Sequence, residues 1–238
     1  MTETPVLGLI PARGGSKGLA GKNLLPLAGR PLITHTIAAA LASRRLTRVV
    51  VTTDDPAIAE VARLAGAETP FLRPAELAAD DTPALPVIRH ALEWLDQSGW
   101  RAGAVAYLQP TSPLRRAEHI DAAVDLLFRE KADSVVSVVE VPHNFNPVSV
   151  LRLTDGVLRP FLPQGAGPLR RQDKPRALAR NGPAVLVAAR ATILDLGVLY
   201  GPRTLPLVMS PQDSVDVDDA FDLELCEWLL ARRKKRGR

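Results

Sequence analysis

The 238-residue chain is 46% hydrophobic and 24% charged, ordinary globular composition in a chain long enough to bury a core. No apolar run approaches the ~20 residues of a membrane helix, and the start, "MTETPVLGLIPAR", lacks the basic region and apolar length of a secretion signal. The net charge of +4 does not indicate nucleic-acid binding: six positive charges fall in "RRKKRGR" (Arg232–Arg238), leaving the rest near −2, and aromatics are only 4%.

Strand-like and helical runs alternate from the start. "VLGLI" (Val6–Ile10) reads as a strand, "PLITHTIAAALASRR" (Pro31–Arg45) as a helix and "RVVVTT" (Arg48–Thr53) as a strand. "PAIAEVARLAG" (Pro56–Gly66) predicts a helix with a glycine stop. "DDTPALPVIRHALEWLDQSG" (Asp80–Gly99) predicts another, with Asp or Thr in cap position. "GAVAYLQ" (Gly103–Gln109), "RAEHIDAAVDLLFREK" (Arg116–Lys131) and "DSVVSVVEV" (Asp133–Val141) continue as strand, helix, strand. Near-continuous apolar strands between helices imply an α/β fold with a parallel sheet covered on both faces. Right-handed crossovers align the strands' carboxyl ends along one edge, where such sheets bind ligands.

After Val141 the pattern loosens. Residues 142–182 are rich in Pro, Gly and Asn, with short strand candidates (Val148–Leu153 and Val157–Phe161) around a "DG" turn. They read as an arm inserted in a single 1–238 domain, able to cap the site, pair with another subunit, or both. Regularity returns with "AVLVAAR" (Ala184–Arg190), "TLPLVM" (Thr204–Met209) and a last helix from about Asp219. The basic tail, 232–238, reads as a frayed, solvated helix end. The single cysteine, Cys226, sits at helical spacing as a buried thiol, which suits a reducing cytoplasm.

Four clusters carry chemistry. "IPARGGSKGLAGKN" (Ile10–Asn23) places glycines and cations where a strand hands over to a helix. It fails the Walker pattern twice, with Ser16 where the first glycine belongs and Asn23 for Ser/Thr; Ser16 also breaks the dinucleotide pattern. What remains is a loop whose Gly14, Gly15, Gly18 and Gly21 allow close backbone approach to an anion, with Arg13, Lys17 and Lys22 supplying charge. The bland alternative is a solvent-facing turn. "LQPTSPLR" (Leu108–Arg115) lands on the same edge, stiffened by Pro110 and Pro113, with Gln109, Thr111, Ser112 and Arg115 as polar groups.

"SVDVDDAFDLE" (Ser214–Glu224) places Asp216 and Asp218 on one side of an extended strand, a pair able to hold a hard cation such as Mg²⁺ through oxygen. Asp219 and Asp222 belong to the helix start, and the competing reading of the whole cluster is N-capping. "RRQDKP", followed by "RNG", brings Arg171 and Asn181, an arginine suited to a substrate carboxylate or to a surface salt bridge. The histidines (His35, His90, His119 and His143) are scattered and show no zinc spacing.

In this order, "IPARGGSKGLAGKN", "TTDD", "FLRPAELAADDT", "LQPTSPLR", "ADSVVSV", "RRQDKP…RNG" and "SVDVDDAFDLE" resemble the acylneuraminate cytidylyltransferases, the CMP-sialic acid synthetases, across nearly the whole chain. The resemblance implies a Rossmann-like nucleotidyltransferase fold with a mostly parallel sheet and a dimerisation arm. It implies a cytoplasmic homodimer that activates a nonulosonic (sialic-acid-like) sugar acid with CTP and Mg²⁺. By position, it implies that Arg13, Gly14, Gly15, Ser16, Lys17, Lys22 and Asn23 meet CTP. Gln109, Arg171 and Asn181 would meet the sugar acid, and Asp216 and Asp218 the metal; Arg13, Lys22, Asp216 and Asp218 are the catalytic candidates. Where the family commonly reads "NGAIY", this chain reads "NGPAV", with Val185 replacing a sugar-facing tyrosine. N-acetylneuraminate, legionaminate, pseudaminate and deaminated nonulosonates therefore stay open. The rival readings are another sugar nucleotidyltransferase, such as a 3-deoxy-octulosonate cytidylyltransferase, and a non-catalytic nucleotide-binding protein.

Overall fold

The computed structural model describes residues 4–15, 18–162, 170–182 and 184–236. In chain order the strands are β1 (Val6–Pro11), β2 (Pro26–Leu27), β3 (Arg30–Pro31), β4 (Arg48–Thr52), β5 (Ala104–Tyr107) and β6 (Ser134–Glu140). They continue with β7 (Leu151–Thr154), β8 (Val157–Pro160), β9 (Leu178–Arg180), β10 (Leu186–Ala189) and β11 (Thr204–Met209). The helices are α1 (Leu32–Leu41), α2 (Pro56–Leu64), α3 (Ala84–Gln97), α4 (Ala117–Arg129), α5 (Arg190–Leu194) and α6 (Ala220–Arg236).

The main sheet runs β11-β6-β10-β5-β1-β4, with β9 pairing the far end of β6. β1 is parallel to both β4 and β5, and β11 is parallel to β6. Alternation along β1 explains the layering. Val6 and Ile10 face a core built with Ile33, Ile37, Ile58, Val124 and Leu127 from α1, α2 and α4, while Leu7 and Leu9 face Ile88, Leu92 and Leu95 of α3. α6 closes a third cluster, in which Cys226 and Leu229 pack on Leu27, Leu32, Leu114 and Val217. Burial pushes the Cys226 thiol up to about 12, so it is an inert packing group.

Several local readings change. β10 is antiparallel to both neighbours, Leu186 pairing with Tyr107 and with Val136. A parallel strand needs a long crossover; here the chain instead comes back from the carboxyl edge along β9 and enters the sheet from there, with no α-helix among the described residues between β6 and β10. α1 stops at Leu41 because Asp121 captures the residues beyond it, accepting from Ser43 Oγ at 2.5 Å and from the amides of Arg44 and Arg45 at 3.1 and 3.2 Å. α3 begins behind Pro83 with no side-chain cap, so neither Asp80 nor Thr82 caps it. The basic tail is helical through Arg236 and is not simply solvated: Arg233 donates to the carbonyls of Leu114 (3.0 Å) and Gln212 (3.2 Å) and pairs with Asp213.

Within 142–182 the "DG" turn closes the β7–β8 hairpin, with Asp155 and Gly156 both at positive φ (51° and 76°), the two-residue geometry that suits strand twist. Residues 147–149 form a 3₁₀ turn, so the first strand starts later than the sequence suggests. Among the described residues, no helix is long and apolar enough to cross a membrane.

Ile37 lies fully buried between α1 and the sheet. Ile37→Ala is expected to lower the unfolding free energy by about 2–5 kcal/mol, the usual cost of such a cavity; urea denaturation measures it.

Candidate active site

The carboxyl ends of β1 and β5 open onto a cleft of about 480 Å³ lined by Arg13, Lys22, Asn23, Arg73, Tyr107 and Gln109, with Gly18, Asp80, Thr82, Thr111 and Asp218 among its other walls. β1 delivers the glycine loop. Gly14 N–H donates to Asp54 Oδ1 at 3.0 Å, so this amide fastens the loop to the end of β4 and is not offered to a ligand. Asn23 is buried and donates from Nδ2 to the Arg13 carbonyl at 3.0 Å, pinning the far side of the loop to its start. Gly15 has open space around it, whereas a Cβ on Gly18 would sit 2.8 Å from the Asp218 carbonyl. That is why the loop needs glycine there. Ser16 and Lys17 lie outside the described residues.

The acidic strand arrives from the other end of the chain. Val217 is fully buried and its amide donates to the Thr111 carbonyl at 2.7 Å, tying residues 214–218 to the "PTSP" loop. With Val217 turned inward, Asp218 lines the cleft, while Asp216 sits half-buried behind that wall, next to Thr111 and Gly182. Lys22 Nζ reaches across to the Val217 carbonyl at 2.8 Å and to Asp218 Oδ1 at 3.2 Å. Burial raises the Asp216 pKa above the usual carboxylate range; the Thr111 hydroxyl opposes this, and the Asp218 charge adds to it. Asp216 Oδ1 is buried without a hydrogen-bond partner among the described residues.

Two arginines support this geometry from below. Arg73, 6% exposed, donates from Nε to Thr52 Oγ1 at 3.2 Å and is hydrogen-bonded to the Thr52 carbonyl; burial lowers its pKa. The sequence presents Arg115 as an edge group offered to ligand, but it is wholly buried. It binds the carbonyls of Gln109 and Ala184 and, at 2.6 Å, Thr36 Oγ1. Burial pulls its guanidinium down to about 9, with Asp216 opposing, so it is still a cation at neutral pH. A loop arginine set between Leu114 and Arg116 carries no sequence signal for such burial. Nor does the sequence single out Arg73, Tyr107, Asp80 or Thr82, although three of them fall inside "FLRPAELAADDT".

The expected sugar-binding residues divide. Gln109 lines the cleft. Asn181 is buried behind it with both amide ends engaged: Oδ1 accepts from Ser137 Oγ at 2.6 Å, and Nδ2 donates to Ser214 Oγ at 2.8 Å. It holds the acidic strand, and its own groups are not turned to the cleft. Arg171 is exposed on a 3₁₀ turn of the arm and lines no part of the cleft. Gly182, at φ 114°, brings the chain within reach of Ser112 and Asp216; a Cβ there would lie 3.1 Å from Ser112 Oγ and 3.4 Å from Asp216 Oδ2. Val185, the departure from the family pattern, is fully buried in the core. Three of the histidines serve local contacts, and His143 is exposed. His35 is buried against the Leu27 carbonyl, His90 stacks edge-on to Phe71, and His119 lies 3.6 Å from Asp213. Among the described residues, no three His, Cys, Asp or Glu gather as ligands.

A glycine- and cation-rich loop meeting an acid pair at the carboxyl edge of a mostly parallel, doubly covered sheet defines a nucleotidyltransferase-type α/β protein. Residues 7–175 match the family described as cytidylyltransferase. An N-acylneuraminate cytidylyltransferase of Escherichia coli is 34% identical over 98% of this chain, and a CMP-N,N'-diacetyllegionaminic acid synthase of Legionella pneumophila is 36% identical over 94%. The chain belongs to the cytidylyltransferase family, alongside these N-acylneuraminate and legionaminate relatives. It spans about half the length of the E. coli protein (54%) and 96% of the Legionella one. A solved CMP:2-keto-3-deoxy-manno-octonic acid synthetase complexed with CTP shares the fold, with a TM-score of 0.71 at 18% identity over 97% of this chain and 100% of that one.

Burial raises the Tyr107 phenol from 10.0 to about 12. Between these values the unfolded chain ionises Tyr107 and the folded chain does not, so stability is lost as pH rises. Tyr107→Phe should therefore lose about 1 kcal/mol less than the parent between pH 9 and 11, read by urea denaturation at both pH values.

Proposed function

We propose that the chain transfers a cytidylyl group from CTP to a nonulosonic sugar acid, releasing pyrophosphate and a CMP-sugar. The observation that carries this reading is Lys22 bridging the loop near the chain's start to the Asp216–Asp218 strand near its end, across one cleft. Family membership and the near-complete overlap with the legionaminate synthase support the chemistry and the acceptor class.

The reaction is in-line attack by the acceptor's anomeric hydroxyl on the α-phosphorus of CTP, driven by positioning and charge stabilisation. Arg13 and Lys22 bind and neutralise the phosphate oxygens, and Asn23 fixes the loop that carries them. Gln109 orients the acceptor from the opposite wall. Asp216 and Asp218 suit Mg²⁺: two hard carboxylate oxygen donors, one with a buried and unpartnered oxygen, match an ion usually held by one or two carboxylates plus substrate phosphates. When bound there, Mg²⁺ would supply charge neutralisation at the phosphates.

Arg171 meets the acceptor carboxylate only if the arm is brought over a cleft, and we assign that to a homodimer. The hairpin exposes Leu151, Leu153 and Leu158, with Phe161 just beyond it, an apolar surface suited to a second copy. A CTP-consuming chain whose one cysteine is buried and unpaired fits the cytoplasm.

A pyrophosphate-release panel of CTP, UTP, ATP and GTP against several nonulosonic acids and neutral sugar phosphates tests the reaction. Turnover is expected with CTP and a sugar acid, and a preference for another nucleotide or for a neutral acceptor would overturn the reading. Lys22→Ala should cost about 10³-fold or more in kcat/KM, and a loss within about threefold would remove Lys22 from the chemistry. For the assembly, light scattering should give the dimer mass, and Leu153→Asp with Leu158→Asp should give the monomer.

A further inference from the structure

Asp80 is a cleft carboxylate to which the proposed reaction gives no task. Its position in "DDTP" before α3 suggests a helix cap, yet α3 starts behind Pro83 with no side-chain cap and no acidic residue in its first turn. The carboxylate has been diverted into the cleft wall, where it pairs with Arg13. The pair is partly exposed, at 29% of the Arg13 side chain and 38% of the Asp80 side chain. Such pairs are weak, holding their partners by roughly 0–1 kcal/mol.

The span that carries Asp80 is fastened at both ends. At one end the Arg73 amide donates to the Thr53 carbonyl at 2.7 Å, and the buried Arg73 side chain clamps Thr52. At the other, Pro83 leads into α3, whose Val87, Ile88 and Leu92 are buried. Between them, Ala79, Asp80 and Asp81 are exposed. The anchors hold the Asp80 carboxylate opposite Arg13 while leaving it in reach of water.

We propose that Asp80 is a displaceable counter-ion for Arg13, which a polyphosphate must compete away on entering and which retakes the guanidinium as pyrophosphate leaves. This rests on the reading of the cleft as a CTP site. A polyphosphate, with several charges and bidentate geometry for Arg13, outcompetes one exposed carboxylate, whereas a lone small anion does so poorly. Asp80 thereby weakens the hold on the leaving group. Lys22 is matched by Asp218 in a similar way, but Asp218 belongs to the acid pair, so Asp80 is the carboxylate whose assigned part is this competition.

The test is pyrophosphate binding by calorimetry in magnesium-free buffer, comparing the parent 238-residue chain with Asp80→Asn and Asp80→Ser. Both variants should bind about two- to fivefold tighter than the parent, with the gap narrowing at high salt as surface charges are screened. In an Arg13→Ala background, Asp80→Asn should gain less than it does in the parent. Equal or weaker binding by folded Asp80 variants overturns this role and leaves the site reading standing. Absence of pyrophosphate binding in parent and variants alike overturns the site reading, and the role of Asp80 with it.

Discussion

The Lys22 ammonium joins the two ends of the chain, donating to the Val217 carbonyl at 2.8 Å and to Asp218 at 3.2 Å across 195 and 196 residues of sequence. Several features exist to allow it. Gly18 lets the loop graze the Asp218 carbonyl, Val217 buries itself while Asp218 turns outward, and the Val217 amide is held by Thr111. A lysine with only 11% of its side chain exposed, set beside a carboxylate, is also a charge arrangement ready for a polyanion.

Beneath that contact the site stands on buried cations. Arg73 and Arg115 are far too costly to bury for packing alone. Their donors are used to fix backbone carbonyls at the ends of strands and loops: Thr52 and Leu77 for Arg73, Gln109 and Ala184 for Arg115. The floor and hinge points of the cleft are thus held by charge-assisted hydrogen bonds, while the upper rim, with Arg13, Asp80 and Asp218, remains partly open to water. This division gives a rigid base for positioning and an exchangeable set of charges for binding and release.

Much of the fold is legible in the chain because the signals are local. The continuous apolar run of β1, the glycine after α2 at φ 93° and the positive-φ "DG" pair each report the conformation of a few adjacent residues. The glycine loop and the "DVD" strand are visible for the same reason. Burial of Arg115 and Asn181 is not, since each is decided by what packs over it: Ala184 and Thr36 on one, Ser137 and Ser214 on the other.

What the amino-acid order determined by itself was the α/β class, the loop of glycines and cations, and the paired acids, all encoded in spacing over a handful of positions. Tertiary structure alone decided the antiparallel entry of β10, the docking of Arg233, the diversion of Asp80 from helix cap to Arg13, and the exclusion of Arg171 from the cleft of its own chain. These depend on partners far along the chain, and a side chain's choice among distant partners is settled by packing and burial that no local pattern contains.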